Sequence, residues 1–137
     1  MSATSRAIFV NLAISDLDRS VEFFTALGFE FSLQFTDETA TCLIINDQAY
    51  VMLVTEGRFK DFTRKAIADA QSSTEAIMAL SATSRDEVDE LVDKALAHGG
   101  KPANDPMDLG FMYVRSFEDP DGHLWEILYM DPTHIED

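Results

Sequence analysis

Residues 9–28 read FVNLAISDLDRSVEFFTALG, and residues 77–100 read IMALSATSRDEVDELVDKALAHGG. When Leu12 is aligned with Leu80, each stretch contains an apolar strand, a polar turn and an amphipathic helix that ends at glycine. An internal repeat of this kind predicts one domain built from two similar units of about 65 residues.

The ends of the two halves also match. NDQAYVML at 46–53 runs beside DPDGHLWEIL at 119–128, which sets Met52 opposite Glu126. The repeat therefore extends over most of the chain, and it predicts that corresponding residues occupy corresponding places in the two units.

Hydrophobic periodicity predicts the same order of elements in both halves. The first half is expected to contain a strand at 7–15, a helix capped by Asp16 and ended by Gly28, and strands at 29–35, 40–46 and 49–55. The second half is expected to contain a strand at 75–82, a helix begun by a Ser84 and Glu87 capping box, and strands near 101–103, 110–117 and 123–130. Between the halves, apolar residues at helical spacing predict a connecting helix that ends at Ser72 and Ser73.

Composition excludes several classes of protein. The net charge of −15, with 25 acidic residues against 10 basic ones, argues against binding to nucleic acid or to an anionic membrane surface. No apolar stretch approaches the roughly 18 residues of a membrane span, and MSATSRAIF at the start lacks the apolar core of a signal peptide. The single cysteine, Cys42, lies in an apolar run and is expected to be a buried thiol rather than a nucleophile. A cytoplasmic protein without a cofactor is the simplest expectation.

Three motifs carry a resemblance to a known family. SDLDRSVEFFTALGF at 15–29, AHGGK at 97–101 and FEDPDGHLWEI at 117–127 resemble the vicinal oxygen chelate superfamily. That group includes glyoxalase I, extradiol dioxygenases, and fosfomycin-resistance and bleomycin-resistance proteins. The resemblance covers residues 6–130, and it implies an α+β fold in which two paired βαβββ modules form a U-shaped cavity, often in a homodimer.

The resemblance also implies a division of the chain. A single domain over 1–137 is expected to hold module one at 6–56, a connector at 57–73 and module two at 74–130.

The metal enzymes of this superfamily use four ligand positions, two from each module. Carried onto this sequence, those positions are Phe9, Met52, Ile77 and Glu126. Catalytic metal sites need about three protein ligands with open positions for substrate, and three of these four side chains are apolar. The three histidines show no ligand spacing. The sequence therefore predicts no metal bound in the usual arrangement.

Strand alternation and the resemblance together predict which residues line the cavity. These residues are Phe9, Asn11, Ala13, Tyr50, Met52, Val54, Ile77, Ala79, Ser81, Met112, Val114, Ser116, Leu124, Leu128 and Met130. Phe59 and Phe62 of the connector are candidates for a lid over the cavity, although packing in the core or against a dimer partner explains them equally well. Asn11 is either a ligand-orienting amide or a satisfied buried one.

Glu126 is the one candidate catalytic residue. A carboxylate among apolar side chains loses solvation, which makes it a candidate general acid or base. The alternative is a structural role, in which it is paired with a neighbouring donor.

Two functions are compatible with these residues. The first is metal-free binding of an apolar or aromatic small molecule, as in the bleomycin-resistance type. The second is a metal-dependent lyase or dioxygenase that uses Glu126 in a rearranged site. The missing ligands favour the first, and methionines at the cavity positions suit ligands of varied shape.

Overall fold

Two polar side chains start the two long helices of this computed structural model, which describes residues 5–134. The Asp16 carboxylate accepts a hydrogen bond from the Arg19 amide at 3.1 Å, and the Ser84 hydroxyl accepts one from the Glu87 amide at 3.0 Å. Each cap satisfies an amide that the first turn of a helix leaves without an intrahelical partner.

The chain divides into two compact units, one up to Ile67 and one from Ala68. The first unit contains β1 (Ile8–Ile14), α1 (Leu17–Ala26), β2 (Glu30–Ser32), a 3-10 turn (Leu33–Phe35), β3 (Ala40–Asn46), β4 (Ala49–Thr55), α2 (Glu56–Phe59) and a second 3-10 turn (Lys60–Phe62). Its four strands form one sheet in the order β1-β4-β3-β2, with β1 parallel to β4 and the other pairs antiparallel.

The second unit repeats this order with one addition. It contains β5 (Ile77–Ser81), α3 (Arg85–Ala97), β6 (Lys101–Pro102), β7 (Met107–Asp108), β8 (Met112–Glu118), β9 (Leu124–Met130) and a 3-10 turn (Pro132–His134). The sheet order is β5-β9-β8-β6, and β7 also pairs with β8. The fold is therefore α+β with two βαβββ units, as the sequence predicts.

Strand register confirms the internal repeat. In the first unit Asn11 lies opposite Met52, and in the second unit Ala79 lies opposite Glu126. Both pairs join the first strand of a unit to its last strand in parallel. The sequence alignment makes Met52 the counterpart of Glu126 and Asn11 the counterpart of Ala79. The first and last strands of the two units are therefore paired in the same register.

Each unit buries one face of its sheet against its long helix. The core of the first unit is formed by apolar residues of α1 and the strands, including Leu12, Ile14, Phe23, Phe24, Leu43 and Leu53. The core of the second unit is formed in the same way by Val88, Val92, Ala95, Phe117, Trp125 and Ile127. Burial of this kind stabilises by roughly 25 cal/mol per Å² of apolar surface. The opposite sheet faces, which carry the predicted cavity residues, remain partly accessible in each unit.

Asp119 fixes the turn between β8 and β9. It is 3% exposed, and its carboxylate accepts hydrogen bonds from the amides of Asp121 and His123, both at 3.0 Å, and from Nε1 of Trp125 at 2.9 Å. Gly122 in the same turn has a φ of +91°, and a Cβ there would lie 2.9 Å from the carbonyl oxygen of Ala70. Position 119 needs a carboxylate to accept these three hydrogen bonds, and position 122 needs glycine because of its positive φ and the close Ala70 carbonyl.

Two expected elements differ from the structure, and one strand is not among those predicted. Helix α2 ends at Phe59 and the 3-10 turn after it ends at Phe62, so the connecting helix does not reach Ser72. The next residue, Thr63, is extended, and its hydroxyl accepts a hydrogen bond from the Lys65 amide at 3.1 Å. The Asp69 carboxylate likewise bonds the Gln71 amide at 3.0 Å. Such local side-chain bonds compete with helix formation.

The other two differences are in strands. The strand expected at 29–35 stops at Ser32, after which a 3-10 turn follows, and β7 was not expected. The capping box also differs in detail, since the Glu87 carboxylate accepts from the Thr83 amide at 2.7 Å and not from that of Ser84. None of the helices between residues 5 and 134 combines the length and hydropathy that a membrane span requires.

Candidate functional site

An aromatic pair forms the accessible face of the first sheet. Phe9 on β1 lies opposite Tyr50 on β4, and their rings stack at a centroid distance of 4.8 Å and an interplanar angle of 12°. Phe35 meets Phe9 edge to face at 6.3 Å. Phe9 is nevertheless 45% exposed, so one side of this aromatic group remains open.

Asn11 lies on the same face, two residues beyond Phe9. Its side chain is exposed, so the alternative of a buried, satisfied amide is wrong. The Nδ2 group donates to the carbonyl oxygen of Phe9 at 3.3 Å. One amide hydrogen and the carbonyl oxygen of the side chain therefore remain able to bond another molecule.

A cavity lies beside Asn11. Its volume is about 370 Å³, and it is lined by Asn11, Phe59, Phe62 and Thr63. Helix α2 and the 3-10 turn after it supply the two phenylalanines, whose ring centroids are 6.4 Å apart. Phe62 is 55% exposed, so its side chain is not packed in the core of the unit.

The polar groups at this cavity have defined roles. The Thr63 hydroxyl accepts from the Lys65 amide, so its own hydrogen is available for a further acceptor. The Arg58 guanidinium lies 5.3 Å from the centroid of the Phe62 ring and 3.4 Å from the Asp61 carboxylate. The cavity is thus bordered by one aromatic wall and by hydrogen-bond donors.

Two other residues predicted for this face differ in accessibility. Met52, opposite Asn11, is half-buried, whereas Val54 is only 1% exposed and offers no surface to a ligand. Cys42 pairs with Met52 from the neighbouring strand β3 and is buried. Burial raises the pKa of the Cys42 thiol, and a protonated thiol is a poor nucleophile.

The remaining predicted residues share one face of the second sheet. Ala79 and Ser116 lie opposite Glu126 on its two sides, and Val114 lies opposite Leu128. Ile77 and Met112 stand two or four residues away along the same strands, which places them on this face as well. Ile77 is 51% exposed, while Ser116 is buried and its hydroxyl accepts from the Asn104 amide at 2.8 Å.

Glu126 is half-buried on this face. Within residues 5–134 its carboxylate has no hydrogen-bond or salt-bridge partner, so the neighbouring donor considered for it is not found. The nearest polar side chain by register, Ser116, is bonded to Asn104 instead.

The donor chemistry of the four superfamily ligand positions does not fit a catalytic metal. Phe9 and Ile77 have no donor atom, and the thioether of Met52 is a soft ligand that Zn²⁺, Mn²⁺ and Fe²⁺ sites rarely use. Among the residues that the structure describes, no group of three or more His, Cys, Asp or Glu side chains is placed to hold an ion.

Sequence reasoning missed two residues of the aromatic site. The sequence predicts a strand at Phe35, and the 3-10 turn that brings this residue to Phe9 has no clear signal in the sequence. Thr63 was placed inside a helix, although its hydroxyl-bearing side chain is a common local partner for backbone amides.

Comparison with known proteins supports the fold. Residues 6–127 match the family model of the Glyoxalase/Bleomycin resistance protein/Dioxygenase superfamily. A hypothetical protein from S. aureus is 25% identical, with a TM-score of 0.77 over 93% of this chain and 95% of that chain. A glyoxalase-related enzyme from Fulvimarina pelagi is 20% identical, with a TM-score of 0.77 over 92% of this chain and 88% of that one.

A third similar structure is a genomically encoded fosfomycin resistance protein from Listeria monocytogenes. It is 19% identical, with a TM-score of 0.65, and the alignment covers 100% of this chain and 95% of that chain. At such identities the last two likenesses show the fold alone. No curated protein shows significant similarity to this sequence.

Proposed function

Because the chain belongs to the Glyoxalase/Bleomycin resistance protein/Dioxygenase superfamily, we propose that it is a metal-free protein that binds an apolar or aromatic small molecule against its first sheet. The cavity of about 370 Å³ beside Asn11, Phe59 and Phe62 is the observation that carries this proposal. Small-molecule sites are clefts of roughly 300–1,000 Å³ with mostly apolar walls and a few polar groups, and this cavity has that composition.

The aromatic residues supply the binding surface. Phe59 and Phe62 line the cavity itself. On the sheet beside Asn11, Phe9 and Tyr50 are already stacked, so a planar ligand that extends beyond the cavity contacts them without ordering them first. An aromatic pair contributes about 0.5–1.5 kcal/mol beyond the area it buries. Phe59 and Phe62 cover the ligand as a lid, and the Asn11 amide orients it through one hydrogen bond.

Binding is tested by calorimetry and thermal shift with two-ring aromatic compounds. Wild-type protein treated with EDTA is expected to bind such a compound with one site per chain. Phe62→Ala should weaken binding by about fivefold or more, because the variant loses most of one aromatic wall. Leu33→Ala is the matched control, since Leu33 is exposed and does not line the cavity. Equal losses in the two variants, or no binding by the wild type, would refute the proposal.

The metal-dependent alternative has its own test. Superfamily enzymes with a bound metal place two substrate oxygens on the ion, whereas Phe9, Met52 and Ile77 leave Glu126 as the single carboxylate at those positions. Titration with Zn²⁺, Ni²⁺, Mn²⁺ and Fe²⁺ is expected to show no stoichiometric binding at micromolar concentration. Binding of one ion per chain that Glu126→Ala abolishes would establish the alternative instead.

A further inference from the structure

Basic residues are concentrated beside the cavity. Residues 56–65, EGRFKDFTRK, contain four bases and two acids, a net charge of +2 in a chain whose net charge is −15. Four of the ten basic residues of the whole chain lie in this segment of α2 and the following turn. The same segment supplies Phe59, Phe62 and Thr63, which are three of the four residues that line the cavity.

None of the described residues that line the cavity carries a carboxylate. Its lining residues are one amide, two phenylalanines and one threonine, although 25 of the 137 residues of the chain are acidic. Two donors are available to a ligand, the Thr63 hydroxyl, which already accepts from Lys65, and the second Nδ2 hydrogen of Asn11. The side-chain carbonyl oxygen of Asn11 is the one available side-chain acceptor besides the Thr63 oxygen among the described lining residues. The nearby Asp61 carboxylate is paired with Arg58, so the donors that line the cavity favour an acceptor that carries negative charge.

The basic side chains are largely uncommitted. Arg58 shares an exposed salt bridge with Asp61, which is a weak pair because solvent screens it. Lys60, Arg64 and Lys65 form no salt bridge within the described part of the chain. A positive segment beside a cavity raises the local concentration of an anion, which the remaining charge of this protein otherwise repels.

We infer that the ligand of this cavity is a planar aromatic anion, such as an arene carboxylate. Its ring system lies against Phe59 and Phe62, its acid group accepts from Thr63 and Asn11, and the bases of residues 58–65 attract it. This inference rests on the proposed function and adds the chemical class of the ligand.

The test compares three compounds that share one ring system and differ in charge: 1-naphthoate, 1-naphthalenemethanol and 1-naphthylmethylamine. Calorimetry at pH 7 and low salt is expected to rank the affinities anion over alcohol over amine. The combined variant Lys60→Gln, Arg64→Gln and Lys65→Gln should lose roughly tenfold in affinity for the naphthoate and little for the alcohol, as expected for three charges acting through partly screened water. Salt at 0.5 M should remove most of the same preference, since the screening length then falls to about 4 Å.

The control variant carries the same change of net charge elsewhere. Arg6→Gln, Lys94→Gln and Lys101→Gln alter three exposed bases outside residues 58–65, and this variant should bind the naphthoate within about twofold of the wild type. If the alcohol binds as tightly as the anion, or if both triple variants lose equally, the ligand class is wrong while the proposed function stands. If none of the three compounds binds, the proposed function and this inference fail together.

Discussion

Asp119 shows how one carboxylate organises its surroundings. It is buried, and it accepts hydrogen bonds from two backbone amides and from the indole of Trp125. Burial raises the pKa of Asp119, although the hydrogen bonds from Trp125, His123 and Asp121 and the nearby His123 charge act in the opposite direction. The side chain thus serves as an acceptor that closes the turn before β9.

Replacing this acceptor is expected to be costly. Asp119→Ala removes this acceptor from the buried Trp125 Nε1 group and from two half-buried amides, and a buried donor that loses its acceptor costs about 1–3 kcal/mol. We expect a loss of about 3 kcal/mol in the free energy of unfolding, measured by urea denaturation followed by circular dichroism. Asp105→Asn, at an exposed position, should change it by less than about 0.5 kcal/mol. Similar values for the two variants would show that the turn does not depend on Asp119.

At the scale of elements, Arg85 ties the start of α3 to β7. Its guanidinium bonds both oxygens of Asp108, at 2.8 and 2.9 Å, and the carbonyl oxygen of Gly110 at 3.0 Å. The Tyr113 ring lies 5.0 Å from the same guanidinium. A two-residue strand has few ladder bonds of its own, and this arginine adds a side-chain contact that links β7 to the start of α3.

The pH dependence of that contact follows from its charges. The Arg85 hydrogen bond, with help from the Gly110 amide, lowers the pKa of Asp108 from 3.8 to about 2. Because the folded protein favours the ionised form, the contact stabilises above pH 3.8 and its contribution is lost as the pH falls through about 2.

Carbon-13 NMR titration of the Asp108 carboxyl group measures this shift directly. In Arg85→Ala the midpoint is expected to move from about 2 most of the way back toward 3.8, since only the smaller amide contribution remains. Arg19→Ala, which alters an arginine bonded to Ser15 instead, should leave the midpoint unchanged. An unchanged midpoint in Arg85→Ala would mean that the pair does not form in solution.

The connector shows why one element could not be predicted from its sequence. Apolar residues at helical spacing from Phe59 to Ala70 predict a helix, yet the helix ends where Thr63 turns the backbone to an extended conformation. The Thr63 and Asp69 side chains accept hydrogen bonds from nearby backbone amides, and these bonds compete with the hydrogen bonds of a helix. The spacing of apolar residues contains no information about that competition. The two long helices can be predicted because the capping residues and the spacing of apolar residues indicate the same helical segments.

At the scale of the whole molecule, the repeat was the most informative signal. Aligning Leu12 with Leu80 makes Asn11 the counterpart of Ala79, and in the structure these two residues lie opposite Met52 and Glu126, which are also counterparts. Strand alternation also indicated which residues share a sheet face, because that period is fixed by backbone geometry. The accessibility of each residue was not predictable, since the burial of Val54 and the contact of Phe35 with Phe9 depend on turns that only the fold reveals.

The excess of acidic residues has a consequence for stability. With a net charge of −15, repulsion among carboxylates destabilises the folded state most at low ionic strength. Raising NaCl from 0.01 to 0.15 M shortens the screening length from about 30 Å to about 8 Å. We therefore expect the melting temperature at pH 7 to rise by a few degrees, measured by differential scanning calorimetry. Choline chloride at the same concentration should raise the melting temperature by the same amount. A rise in the melting temperature with NaCl but not with choline chloride would indicate specific binding of sodium instead.

The burial of Trp125 gives this protein a built-in optical reporter. It is the single tryptophan of the chain, it is fully enclosed, and its indole is bonded to Asp119. Its fluorescence therefore follows the integrity of the second unit. The first unit contains one tyrosine, Tyr50, whose ring is stacked on Phe9. A compound that docks on Tyr50 is therefore expected to leave the wavelength of the tryptophan emission maximum unchanged, whereas one that loosens the fold around the indole is expected to shift it.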